Sequence, residues 1–569
     1  MLEQNIWEIA PIPDAKLSSR LADELKIPRV IADILINRGI TTYEEANQFL
    51  YPDISKLCDP YLFEDMDRGV ERVIEALRNR ENIMIYGDYD VDGITATSLM
   101  FLVLNKLGAE VSYYLPNRLS EGYGISEDGL IVAKERGVSL LISVDCGITA
   151  VEEVRMAKEM GIDCIITDHH EPGSEIPEAV AVINPKRGGA EVTGVELAGV
   201  GIAYKFAHAI YQRLNQDVED VKEHLDLVAL GTAADIVPLV NENRILTKYG
   251  IKQVSRTSKP GLKALIFVSG LLGKEIGTGQ VVFILAPRIN AVGRLGDAEM
   301  AIKLLSTKDE NQANQIARQL NEENKRRKNI DEKTLQEALE QIREKVDLNK
   351  DRAIVLAGKD WHQGVIGIVA SRLVEKFHRP TIMISIDGDQ GKGSARSIPH
   401  FHLYDALREC EKLLLRFGGH KYAAGLSISI DKIEEFRKQF NNVATRMLSD
   451  EDMTARISVD AEIEFEDIHE HLLDIINMFA PFGPQNMKPV FITRNVELYG
   501  NPFIVGNNHL KLKVQKNNIV LDCIGFGLGG YLNQILRRPL RMDIAYVIEK
   551  NVWNGVEHIQ LRIKDLRVI

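Results

Sequence analysis

The chain has 569 residues, 45% of them hydrophobic and 27% charged, with Gly at 43 and Pro at 19; this excludes disordered and collagen-like classes, and at roughly 150 residues per domain it predicts about three or four folded domains. No apolar run approaches the roughly 18 residues of a membrane span, and the opening MLEQNIWEIAPIPDAK has neither the basic end nor the apolar stretch of a signal peptide, so a cytoplasmic protein with no membrane attachment is expected. The net charge of −13 speaks against a nucleic-acid partner, because phosphate binding draws on Lys and Arg.

In chain order, residues 1–80 carry helix-spaced apolar positions (Leu21, Leu25, Val30, Ile34, Ile36) and a Thr-capped TTYEEANQFL, which predicts a helical segment packing on the domain that follows. Within 81–307, the Ile- and Val-rich runs NIMIYG, EVSYYLP, SLLISV, DCIITD and AVAVINP alternate with amphipathic stretches. Short runs that are apolar throughout suit strands buried on both faces, so a parallel βαβ sheet is expected, with every strand's carboxyl end on one rim. Residues 308–346 contain no Gly or Pro, and their stripe of Ala313, Ile316, Ala317, Leu320, Leu335, Leu339 and Ile342 predicts a long connecting helix spanning 308–348. A second α/β unit covers 349–453. From 454 to 569, alternation and turn signals such as GNN and WNG predict a small all-β module.

Three of the first unit's strands end in acidic residues or histidine: Asp88, Asp90 and Asp92 after NIMIYG, Asp145 after SLLISV, and Asp168-His169-His170 after DCIIT. Topology gathers them in one crevice, since open α/β sheets bind ligands outside the carboxyl ends of their strands. Asp235 lies in the apolar VALGTAADIVPLV, where a buried carboxylate needs a cation or hydrogen bonds. Thiolate ligation is not indicated, because the five cysteines are scattered and form no CxxC pair. Carboxylates with imidazole suit Mg²⁺ or Mn²⁺, and so many carboxylates on one rim call for two cations, the usual device for phosphoester hydrolysis.

In this order, DVDG at 90–93, DCG at 145–147, DHH at 168–170 and Ala234-Asp235 resemble the four motifs of the DHH phosphoesterase superfamily, and FGGHKYAAG at 417–425 resembles its associated second-domain motif. The extended forms GDYDVDGITAT, YYLPNRLSEGYG, WHQGVIGIVASRL and GSARS are similar to those of the RecJ family of bacterial exonucleases, which degrade single-stranded DNA 5′→3′. That resemblance implies a DHH domain joined by the long helix to a DHH-associated α/β domain, then an OB-fold-like domain. It implies two divalent ions, Mn²⁺ or Mg²⁺, with Asp90 and Asp92 on separate ions and Asp145 bridging. Asp235 would hold one ion and His169 the other, His170 would contact the scissile phosphate, and Asp168 would orient the histidine pair. Asp88 either ligates or hydrogen-bonds the loop. Many superfamily members carry a histidine where this chain has Tyr86.

For substrate, Arg118, Ser394, Arg396 and Ser397 combine guanidinium forks with hydroxyls suited to phosphate, and the resemblance makes them candidates for the 5′-terminal phosphate. Gly419 allows close backbone approach beside His420, and the resemblance implies that Arg288 and Asn290 line a narrow entrance to the active site. In the all-β module Lys511, Lys513 and Lys516 are the expected strand-binding residues. From Asn486 to Ile569 there are 12 Lys and Arg against 6 Asp and Glu, so the negative charge is concentrated elsewhere, partly in the metal site itself. The family also implies a single-strand-binding protein and a helicase as partners of a monomer. Two rival readings are a DHH phosphodiesterase for short oligoribonucleotides or cyclic dinucleotides, which would share the metal site, and a non-catalytic scaffold. The long chain and OB-like end argue against the first, and the intact carboxylates against the second.

Overall fold

The computed structural model describes residues 5–117, 121–187, 196–295, 298–536, 541–553 and 556–569. The chain forms two compact units: 47–325 with 479–488, and 1–46 with 326–478 and 489–569.

In the first unit a five-stranded parallel sheet has the order Glu110–Tyr114, Asn82–Tyr86, Leu140–Val144, Asp163–Thr167, Ala181–Ile183. The five apolar runs are these five strands. The Leu140–Val144 strand is buried at every position, which accounts for its unbroken apolar run. The chain reverses its direction of sheet growth between the Asn82–Tyr86 and Leu140–Val144 strands, and a crevice opens at such a switch point. Three helices cover this end of the sheet: Val91–Lys106, Gly199–Arg213 and Leu225–Ala234. They are apolar on nearly all sides because each is wrapped by neighbours. The Leu225–Ala234 helix packs on Asn241–Val254 so closely that a Cβ on Gly250 would come within 2.1 Å of the Leu225 carbonyl oxygen.

The long helix is continuous from Glu310 to Lys345. Ala313, Ile316, Ala317 and Leu320 join the core of the first unit. Leu335, Ala338 and Ile342 pack with Trp361 and Val365 in the second unit. There a mixed sheet runs Arg416–Gly419, Ala423–Ser429, Gln390–Arg396, Thr381–Asp387, Ile354–Lys359, with only the last two strands parallel. His362 caps the Gln363–Phe377 helix, its side chain accepting from the Gly364 amide. The C-terminal strands close into a barrel in which Phe491–Val505 pairs with both His509–Lys516 and Arg541–Trp553. No helix among the described residues is long and apolar enough to cross a membrane.

Two boundaries differ from the sequence expectation. The segment expected as 1–80 divides: Ile6–Ile9 forms a parallel strand with Arg456–Val459, and the Trp7 indole donates to Asp565, so residues up to 46 group with the second unit. Residues 479–488, expected inside the all-β module, group with the first unit, where the Arg244 guanidinium donates to the Phe479 carbonyl and the Leu239 amide to that of Pro484. Gly250→Ala should force the helix leading to Asp235 away from its neighbour and cost about 1–3 kcal/mol. A lowered thermal-denaturation midpoint is expected, and an unchanged one would contradict this packing.

Candidate metal centre

The site grows out of three strand ends and one helix end. After Tyr86 the chain turns into the Val91–Lys106 helix, whose N-cap is Asp90, its side chain accepting from the Gly93 amide. The second residue of that helix, Asp92, is 1% exposed and accepts from the amides of Gly199 (2.6 Å) and Val200 (3.0 Å) at the start of another helix. These donors and that helix's positive end hold the carboxylate. Asp145 leaves its strand in the left-handed region at φ 63, a conformation aspartate tolerates better than most residues. Asp235 caps the C-terminus of Leu225–Ala234.

The ligating atoms fall into overlapping groups, each within 4.8 Å: Asp92, His169 and Asp235; Asp88, Asp90 and Asp145; and Asp145, His169 and His170. His169 Nε2 lies 3.1 Å from Asp145 Oδ1 and 3.6 Å from Asp235 Oδ2. All three atoms are buried without a hydrogen-bond partner among the described residues. The other side of the centre is fully bonded. Asp168 Oδ1 accepts from the amides of His169 and His170 and lies 2.8 Å from His170 Nδ1, while Oδ2 accepts from the Ile148 amide. The Tyr123 hydroxyl lies 3.1 Å from the Asp145 carbonyl oxygen and 3.0 Å from His170 Nδ1.

Burial, then the charge of Asp90, pushes the Asp92 carboxyl up to about 7. Burial, then Asp92 and Asp90, pushes Asp235 up to about 9 and Asp145 well above the carboxylate range. Burial, then His170, pushes His169 down to about 3, so its imidazole is neutral with a lone pair to offer; its ring also hydrogen-bonds the Leu197 main chain, as metal-ligating histidines usually do. Burial would raise Asp168, but its bonds to His170 and to main-chain amides hold it low. Burial would lower His170, but the Asp168 hydrogen bond and surrounding carboxylates raise it. Neutral imidazole, orphaned oxygens and mutually destabilised carboxylates form the donor set that a pair of hard divalent cations would satisfy.

The candidate metal ligands expected from sequence, Asp88, Asp90, Asp92, Asp145, His169 and Asp235, lie together with His170, with one regrouping. His169 and Asp235, expected on different ions, share one cluster with Asp92. Tyr86 is fully buried, its hydroxyl bonding Gly124 and Ser126 away from the centre, and Asp88 stands with Asp90 and Asp145 instead. Sequence reasoning missed the residues that make room. A Cβ on Gly199 would lie 2.4 Å from Asp145 Oδ1, and one on Gly231 would lie 2.6 Å from Asp92 Oδ1. It also gave Tyr123 no role, although GYG was in view.

Arg288 and Asn290 lie on the Ala286–Leu295 helix, which flanks the centre: a Cβ on Gly293 would come within 2.5 Å of the Tyr89 carbonyl oxygen. The Arg288 guanidinium bonds Asn321 and the Ile284 carbonyl. In the second unit, Arg396 Nη1 donates to Ser394 Oγ at 3.2 Å, and both face Gly367, whose Cβ would fall 2.8 Å from that hydroxyl. Ser397 bonds the Phe401 carbonyl. Gly419, at φ 140, lies against Ala423 and Ala424, with His420 exposed beside it. In the barrel Lys511 and Lys513 share one strand face, Lys513 3.2 Å from Asp522; Lys516 has the opposite parity and pairs with Glu464. Arg118 lies outside the described residues.

A doubly wound parallel sheet with this carboxylate–histidine centre at its switch point defines a DHH-type phosphoesterase. Models of the DHH family N-terminal domain, the DHHA1 domain and the RecJ OB domain match residues 82–232, 350–446 and 459–565. The chain is 41% identical over 565 residues to the single-stranded-DNA-specific exonuclease RecJ of Bacillus subtilis (strain 168), covering 99% of this chain and 71% of that protein. It is 33% identical to the RecJ of Salmonella typhimurium, covering 97% and 99%. The crystal structure of Thermus thermophilus RecJ in complex with Mn²⁺ superposes with a TM-score of 0.86 at 28% identity, over 100% of this chain and 80% of that one. The chain belongs to the RecJ family of single-stranded-DNA-specific exonucleases.

Gly199→Ala should displace the Asp145 carboxylate and weaken Mn²⁺ binding by about 10–100-fold, the usual effect of disturbing the support of a ligand. Titration calorimetry checks this, and unchanged affinity would contradict the geometry.

Proposed function

We propose that this chain is a metal-dependent exonuclease that digests single-stranded DNA from its 5′ end to 5′-mononucleotides. The observation that carries the reading is the convergence of three orphaned buried atoms, Asp145 Oδ1, His169 Nε2 and Asp235 Oδ2, beside a second carboxylate cluster. Asp92, His169 and Asp235 would hold one Mn²⁺ or Mg²⁺, Asp88 and Asp90 the other, and Asp145 would bridge. When bound, such a pair activates water and stabilises the charge that builds on phosphate during in-line displacement.

The chain's own groups do the rest. The amides of Gly199 and Val200 fix Asp92 before substrate arrives, and Asp168 fixes the ring of His170. His170, kept basic by Asp168, donates to a non-bridging oxygen of the scissile phosphate. Tyr123 ties that ring to the main chain of Asp145, so ligand and phosphate contact move as one.

Arg118, Ser394, Arg396 and Ser397 would bind the 5′-terminal phosphate, with Gly419 and His420 as further substrate contacts, which would give the enzyme its polarity. Arg288 and Asn290 admit only an unpaired strand, and Lys511, Lys513 and Lys516 track its backbone. The same reading takes the enzyme to be cytoplasmic, with a helicase and a single-strand-binding protein exposing and presenting the strand during recombination and repair.

Asp145→Ala should still bind a 5′-phosphorylated single strand while losing Mn²⁺-dependent cleavage; undiminished digestion would overturn the assignment. Blocking the 5′ end should abolish digestion and blocking the 3′ end should not. Indifference to DNA longer than a few nucleotides, with turnover of short RNA, would favour the phosphodiesterase reading instead.

A further inference from the structure

Thirteen non-glycine residues among those described have positive φ, and twelve are polar or charged, eight of them Asn or Asp; the thirteenth is Ile236, at φ 64. A β-branched side chain is disfavoured there, because its branched Cβ crowds the following carbonyl. Ile236 directly follows the capping residue Asp235 at the end of the Leu225–Ala234 helix, the position that glycine or asparagine normally fills. The fold would accept either of those more readily.

Packing does not explain the isoleucine, because its side chain is 68% exposed. Its place along the chain does suggest a use. Exposure rises from buried Ala233 through half-buried Ala234 and Asp235 to open Ile236, so the segment emerges at the mouth of the metal centre. An apolar group held there at a conformational cost, beside a carboxylate of the centre, suits the apolar faces of a nucleotide whose phosphate is being hydrolysed.

We infer that Ile236 is a substrate-positioning residue that bears on the deoxyribose and base of the nucleotide at the metal centre. This rests on the single-strand exonuclease reading above. Its role is to set the height of that nucleotide over Asp235, and it takes no part in ligation or proton transfer.

The test compares wild type with Ile236→Gly, Ile236→Asn and Ile236→Val, using a 5′-phosphorylated single strand and Mn²⁺. Gly and Asn relieve the backbone while removing the apolar contact, so their melting temperatures and Mn²⁺-induced stabilisation should match or exceed those of wild type. Their kcat/KM should fall about tenfold, as expected for losing burial of one aliphatic side chain, with KM carrying most of the change. Val should restore most of it. Unchanged kcat/KM in a folded Gly or Asn variant overturns the inference, as does loss of Mn²⁺-induced stabilisation in both, which would mark a structural role. Failure of wild type itself to digest the strand would instead overturn the functional reading.

Discussion

Asp92, Asp145 and Asp235 are carboxylates packed beside one another in a largely buried crevice, and this crowding governs the first unit. Like charges in such a medium repel strongly, and removing each from water costs several kcal/mol more. Among the described residues no lysine or arginine hydrogen-bonds the three orphaned atoms. The protein supplies main-chain amides to Asp92, a neutral imidazole from His169 and a sheet edge that brings the groups together. That arrangement leaves the charge to be balanced by cations, so the fold and the cation requirement are one property.

The same crowding explains why glycine occupies the surrounding helices. Gly199 and Gly231 stand where any side chain would collide with Asp145 or Asp92, and Gly93 stands against the Asp88 main chain. Helices can approach the rim this closely only without a Cβ, and the close approach excludes water from the backs of the carboxylates. The histidine pair divides the work by environment. His169 is buried and neutral, whereas His170 is opened toward solvent and kept basic by Asp168.

Much of this was legible in the sequence because two physical signals were strong. Strands buried on both faces read as unbroken Ile/Val runs, so all five strands of the parallel sheet could be placed, and their acidic ends located the crevice. The closing barrel was legible from alternation. What stayed hidden depends on contacts distant in sequence. IWEI is too short to announce itself as a strand, and its pairing with Arg456–Val459 spans most of the chain. The amides that hold Asp92 come from residues about a hundred positions away, and nothing local marks Gly199 as their source. The partition of ligands between clusters depends on the angle at which the Leu225–Ala234 helix ends, which spacing alone does not encode. The basic surplus of residues 486–569 is a count the sequence supplies, whereas the parity that separates Lys516 from Lys511 and Lys513, and its pairing with Glu464, are not.

The proposed sharing of Asp145 by two cations can be read by electron paramagnetic resonance of the protein titrated with Mn²⁺. Two ions should bind per chain, with the exchange-coupled spectrum of a bridged pair that collapses to isolated ions in Asp145→Ala. Saturation at one ion, or two ions with uncoupled spectra in the unaltered protein, would contradict it.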